Sequence, residues 1–164
     1  MRDDRAAAAD YDVRPADLSR ADDRAALVAL LDGYARDPMG GGKGLDPAVI
    51  RALPDRLAAQ AGAQVWLART GDGEPVGLAV CFTGFSTFAA RPLLNLHDLA
   101  VAPGHRGKGV GRRLLAAVED AARAAGCCKV TLEVRTDNLT AQKLYRALGY
   151  GDGAAPHHFW SKPL

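Results

Sequence analysis

The chain has 164 residues, 48% of them hydrophobic and 24% charged, with a formal net charge of +2. A chain of this length and composition can bury a core without staples, which excludes wholesale disorder. Its near-neutral balance gives no charge-based case for nucleic acid or a membrane surface as partner. The cysteines, Cys81, Cys127 and Cys128, match neither a zinc spacing nor a CxxC motif. They read as small packing groups in a reducing compartment. No apolar run reaches membrane-spanning length, and the charged start lacks a signal-peptide stretch. We expect a disordered leader over residues 1–10, a single domain over 11–164 and a cytoplasmic location.

Taken in order, "YDVRPA" reads as a short strand. Leu27, Leu30, Leu31 and Tyr34 then recur at helical spacing. Pro38 to Gly44 is a loop. Asp46 followed by Pro47 predicts a helix start, with a capping side chain and then a residue that needs no N–H partner. Val49, Leu53 and Leu57 continue that stripe, and Pro54 is expected to kink or split the helix. Gln64–Thr70 is a strand. Val76–Phe85 is a near-continuous apolar strand, expected to be buried on both faces. Pro92–Val101 is the next. Gly109–Ala125 is a strong helix with Val110, Leu114, Val118 and Ala122 on one stripe. Lys129–Val134 is a strand. Asn138 caps a last helix carrying Ala141, Leu144, Tyr145 and Leu148, closed by Gly149. The tail "HHFWSKPL" is expected to add a final strand. Adjacent His157 and His158 would point opposite ways there, which disfavours a metal pair. The order predicts a mixed α/β or α+β sheet domain.

The segment "HDLAVAPGHRGKGVGRRLL" holds the chemistry. A strand runs into glycines at a helix start, where free N–H groups and the helix dipole favour an anion. Gly107, Gly109 and Gly111 let a phosphate approach the backbone. Arg106, Lys108, Arg112 and Arg113 add positive charge. The nucleotide motifs fail on spacing: GxxxxGK[ST] is absent, and Arg112 stands where a dinucleotide fingerprint needs glycine.

Arg106-Gly107-Lys108-Gly109-Val110-Gly111 resembles the R/Q-x-x-G-x-G/A signature of the GNAT family of N-acetyltransferases. The flanking "DLAV" and "RRLL" fit the same context. A second block, "NLTAQKLYRALGY", resembles that family's N-x-x-A-x-x-L-Y-x-x-x-G-F/Y segment through Asn138, Ala141, Leu144, Tyr145, Gly149 and Tyr150. The match is sharp from Leu94 to Tyr150 and topological before that.

The resemblance implies a central mixed, mostly antiparallel sheet with helices on both faces, splayed between its fourth and fifth strands to admit acetyl-CoA. It maps the fourth strand to Leu93–Val101 and the fifth to Lys129–Val134. The amides of Arg106, Gly107, Lys108, Gly109, Val110, Gly111 and Arg112 would hold the pyrophosphate. Main-chain groups of Leu99, Ala100 and Val101 would pair with the pantetheine arm as with an added strand. Asn138 would touch the pantetheine or phosphate region. No metal is implied.

Acetyl transfer to an amine needs a neutral nucleophile, an oxyanion donor and an acid for the thiolate. A lysine-like amine titrates near ~10.4, so a base or a water chain helps. In this family a fourth-strand N–H usually serves the oxyanion. Tyr145 matches the family's general acid, and it also lies on the apolar stripe of its helix. Strict alternation puts Asn95, His97, Leu99 and Val101 on one face and Leu96, Asp98 and Ala100 on the other. His97 occupies a place where family members often carry Glu. An imidazole near ~6.5 suits a base, and a strand histidine with an ordinary hydrogen bond fits equally. Asp98 reads as orienting His97, meeting a cationic substrate, or as a structural hydrogen-bonding group. Tyr34, Phe85, Phe88 and Asn95 would shape the acceptor site.

The resulting expectation is an acetyl-CoA-dependent N-acetyltransferase acting on a small-molecule or protein amine, as a homodimer joined through the terminal strand. An acyl-CoA-binding sensor without turnover is the alternative. Nucleic acid and membrane are not expected partners.

Overall fold

The computed structural model describes residues 10–151, 153 and 159–164, so most of the expected leader and the His157–His158 pair lie outside it. The elements run β1 (Tyr11–Pro15), α1 (Ala21–Arg36), α2 (Pro47–Ala59), β2 (Ala63–Thr70), β3 (Pro75–Ser86), β4 (Arg91–Val101), α3 (Val110–Ala124), β5 (Val130–Leu132) and α4 (Leu139–Ala147). They fall into two compact units. One ends at Glu133, and the other runs from Val134 to Leu164.

In the first unit the strands form one sheet in the order β1-β2-β3-β4-β5. The first four pair antiparallel, and β5 joins β4 in parallel. Leu27 and Ala26 of α1 and Leu57 of α2 pack against Val65, Leu67, Leu78, Val80 and Ala100 on one face. On the other face α3 lies so close that a Cβ on Gly77 would sit 2.7 Å from Val110 and 3.0 Å from Leu114. Val110, Leu114, Val118 and Ala122 are all buried, so the predicted stripe is the packing face of α3.

The sequence expectations need amending in several places. Helix α2 is not split at Pro54. That residue removes one backbone donor, and its ring is buried with Leu57. Val49 lies on the exposed side of α2. Strand β3 is fully buried from Val76 to Cys81 and alternates beyond it, because only its first half is covered on both faces. Strand β5 is shorter than expected, pairing only Val130, Thr131 and Leu132 with Leu94, Asn95 and Leu96.

The β3–β4 register shifts once. Val80 opposes Asp98 and Cys81 opposes Leu96, which leaves His97 as the extra residue of a β-bulge. The bulge overturns the strict alternation read from the sequence. Opposed residues share a face, so Asp98 joins Asn95 and Ala100 on the α1/α2 side, while Leu99 and Val101 join Leu94 and Leu96 on the α3 side. The bulge also resets which backbone groups face outward. Leu94 N–H donates to Lys129 O at 3.1 Å, toward β5. Beyond the bulge, Ala102 N–H donates to Val76 O at 2.9 Å. That bond brackets the Val101–Gly77 pair and turns the N–H and C=O of Val101 away from β3. By the same alternation Leu99 faces outward and Ala100 faces β3. Pairing with β5 stops at Leu96, where β5 ends, so β4 has no β5 partner from His97 onward.

The second unit contains α4, with Asn138 at its start and Gly149 at φ 89° after its end. Residues 159–164 are not in a strand, contrary to expectation. Phe159 and Trp160 are exposed there.

Candidate active site

The turn between β4 and α3 has the geometry its glycines require. Gly107 and Gly109 take φ 74° and 86°, left-handed values that side chains resist. Among the described residues, nothing but the adjoining chain lies within 4 Å of where their Cβ atoms would stand, so the turn opens onto free space. Gly109 caps α3 with no side chain, and the first turn holds no acidic residue. Helical bonding begins with Arg113 N–H to Gly109 O at 3.1 Å. The N–H groups of Val110, Gly111 and Arg112 therefore have no partner within the helix. Lys108 and Arg112 are exposed beside them. This cradle fits an anionic group such as a diphosphate.

Not every cation of the turn faces that cradle. Arg113 donates to Tyr11 O at 3.3 Å, and the Tyr11 hydroxyl and His105 Nδ1 hydrogen-bond at 3.0 Å. Arg106 donates through Nε to Val101 O at 3.0 Å and through Nη2 to Asp37 Oδ2 at 2.9 Å. The Val110 side chain packs in the core, leaving its N–H for the turn. Asp37 is invisible to sequence reasoning because its partner lies 69 positions away.

The bulge gathers polar groups on the α1/α2 side of β4. His97 is exposed, and its ring meets that of Phe82 edge-on at 5.4 Å. Burial raises the pKa of Asp98, and the neighbouring His97 pulls it partly back. Cys81 is buried, and burial together with Asp98 pushes its thiol up to about 12, which makes it unreactive. Asn95 Nδ2 donates to Thr131 Oγ1 at 3.1 Å and reaches Glu133 Oε1 at 3.5 Å. Asn95 is thus tied across to β5. Glu133 is a further carboxylate that sequence reasoning missed, and only the parallel register of β5 places it there.

Of the expected acceptor walls, Tyr34 packs against the α1/α2 core. Phe85 and Phe88 are exposed, at 63% and 105%, where β3 turns into β4. In the second unit, the Asn138 side chain accepts from Ala141 N–H at 3.1 Å. Tyr145 is buried on α4, its ring 5.9 Å from that of Tyr150. Among the described residues no cluster of His, Cys, Asp and Glu could hold a metal ion, and no helix is long and apolar enough to cross a membrane.

Comparison with known proteins agrees with this geometry. Streptothricin acetyltransferase from Streptomyces lavendulae is 33% identical over 114 residues, which is 64% of this chain and 58% of that protein. N-alpha-acetyltransferase RimI from Mycobacterium tuberculosis is 41% identical over 76 residues, covering 45% of this chain and 46% of that one. The chain thus spans less than two thirds of these relatives. The fold matches a solved structure of AAC(6')-Iy in complex with a bisubstrate analog, with a TM-score of 0.73 and 20% identity over 94% of this chain and 99% of that one. A transcriptional regulator from Bacillus halodurans C-125 superposes with a TM-score of 0.78 at 18% identity, covering 94% of this chain and 100% of its own. The acetyltransferase (GNAT) family profile matches residues 27–150. The chain belongs to the acetyltransferase (GNAT) family.

Proposed function

We propose that the protein is an acetyl-CoA-dependent N-acetyltransferase, passing acetyl directly to a primary amine of a small molecule or protein in a ternary complex. The observation that carries this reading is an open, cationic glycine turn at the end of a strand edge that the His97 bulge and the short β5 leave unpaired. Acetyl-CoA supplies an activated thioester carbonyl when bound. The N–H groups from Gly107 to Arg112, with Lys108 and Arg112, hold its diphosphate. The outward main-chain groups of Leu99 and Val101 pair with its pantetheine arm, in a role that the register denies to Ala100.

His97, exposed on the bulge, takes the proton of the incoming ammonium directly or through water. Asp98 beside it meets the cationic substrate. Asn95, Thr131 and Glu133 form a polar, partly anionic rim suited to an ammonium. Tyr34, Phe85 and Phe88 shape the acceptor side. The family resemblance assigns Asn138 to the pantetheine arm and the Tyr145 hydroxyl to returning a proton to the departing thiolate. The enzyme works as one domain over residues 11–164, in a reducing cytoplasm that suits its free cysteines, and as a homodimer.

Calorimetric titration with acetyl-CoA tests the reading. Wild-type protein binds in the micromolar range, and the Arg106→Ala/Gly109→Asp double variant does not. Absence of binding by folded wild-type protein overturns it. A panel of amines, read by released thiol, then identifies the acceptor.

A further inference from the structure

The loop joining α1 to α2 is built as a hydrogen-bonded unit. Asp37 Oδ1 accepts from Met39 N–H at 2.9 Å. The Asp37 carbonyl accepts from Gly40 N–H at 2.8 Å and Gly42 N–H at 3.0 Å. Lys43 N–H donates to Ala35 O at 3.0 Å, and Leu45 N–H to Asp32 Oδ1 at 2.8 Å. The loop also hugs the end of α1, since a Cβ on Gly40 would fall 1.9 Å from Tyr34 O. Asp37 is the knot that organises this loop, and its remaining oxygen, Oδ2, takes Arg106.

Arg106 in turn spans two structures. Its Nη2 holds Asp37 at 2.9 Å and its Nε holds Val101 O at 3.0 Å. Val101 O is an outward acceptor of the β4 edge, and Arg106 directly precedes Gly107 of the anion cradle. The guanidinium therefore stands at the junction of the loop, the strand edge and the cradle. It is half exposed while the Asp37 carboxylate is largely covered, so the arginine is the member placed to move.

We propose that Asp37 is a positioning residue that clasps Arg106 across the β4 edge, so that cofactor binding opens the clasp and loosens the α1–α2 loop. The inference rests on the proposed use of that edge and cradle by acetyl-CoA. An arm that pairs at Val101 competes with Arg106 Nε for the same carbonyl. Once displaced, the guanidinium lies beside the diphosphate and gains a stronger anionic partner there. The loop then loses its tie to the sheet. The clasp subtracts from acetyl-CoA affinity.

The sign of one substitution decides the matter. Asp37→Asn keeps an oxygen for Met39 N–H and removes the charge that holds Arg106. Titration of Asp37→Asn with acetyl-CoA is expected to show binding about threefold to fivefold tighter than wild type, the scale of a partly exposed ion pair. Asp37→Glu, which restores the carboxylate, is expected to return toward wild-type affinity. Amide hydrogen exchange gives the second readout: acetyl-CoA speeds exchange at Gly40 and Gly42 in wild type and leaves it unchanged in Asp37→Asn. Equal or weaker binding by Asp37→Asn, or loop exchange in wild type that ignores the cofactor, overturns the clasp alone. No binding by wild type overturns the proposed function together with the clasp.

Discussion

The starts of α2 and α3 solve the same problem in opposite ways. At α2, Asp46 accepts from Ala48 N–H at 2.7 Å, and Pro47 brings no donor of its own. Helix α1 follows the same electrostatic rule, with Asp22 and Asp23 in its first turn. At α3 the cap is Gly109, which has no side chain, the first turn has no acid, and Lys108 and Arg112 crowd the positive end of the dipole. Cations there work against the helix by about 0.3–1 kcal/mol each. A chain that caps α2 so completely leaves α3 in need of negative charge from outside. That need is the physical basis of the binding role proposed for the turn.

The contrast is broken most strongly at Gly109. Gly109→Val forces a β-branched residue to φ 86° and is expected to cost about 1–3 kcal/mol of stability. It also weakens acetyl-CoA binding by about a hundredfold or more, because the N–H groups no longer converge. Thermal melting and calorimetry on the same protein check both effects. Arg112→Glu sharpens the contrast, since the two readouts should move in opposite directions. A carboxylate in the first turn is expected to stabilise α3 by about 0.5 kcal/mol while acetyl-CoA affinity falls about tenfold. Parallel losses in stability and affinity would refute the electrostatic account.

Asp23 adds a pH dependence at the start of α1. Burial alone would raise its pKa, but Asp17 N–H and the Arg69 guanidinium outweigh burial and hold it below the usual carboxylate range. A lowered folded pKa contributes stability above the unfolded value, near ~3.9, that is lost as pH falls through the folded one. Asp23→Asn is therefore expected to be about 1–2 kcal/mol less stable than wild type at pH 7. Denaturant titrations should show that gap closing below pH ~4. At α2 the effect is expected on stability alone. Asp46→Ala costs about 1 kcal/mol through the lost cap and leaves acetyl-CoA affinity unchanged.

Features that depend on near neighbours are legible in the sequence. The Asp46–Pro47 start, the Asn138 cap, the α3 stripe and the glycine turn each rest on residues a few positions apart. Sequence reasoning fails where distant chain decides. Pro54 stays inside an unbroken helix whose buried side holds it. Asp98 keeps company with Ala100 as expected but shares that face with Asn95 in place of Leu96, because strict alternation assumes an unbroken register, and a one-residue bulge is a property of the β3–β4 pair. Glu133 gains its place beside Asn95 through a parallel pairing that nothing local announces.

The sequence by itself thus determined the helix ends, the apolar stripes and an open, cationic glycine turn, because capping, periodicity and backbone freedom act over a few residues. Tertiary structure alone decided the rest. It set the bulge that turns Leu99 and Val101 outward and Ala100 inward, and it ended β4–β5 pairing at Leu96. It also brought Asp37 to Arg106 across 69 positions. Register and long-range ion pairs depend on which surfaces the packed sheet and helices present to one another, and no short stretch of sequence carries that information.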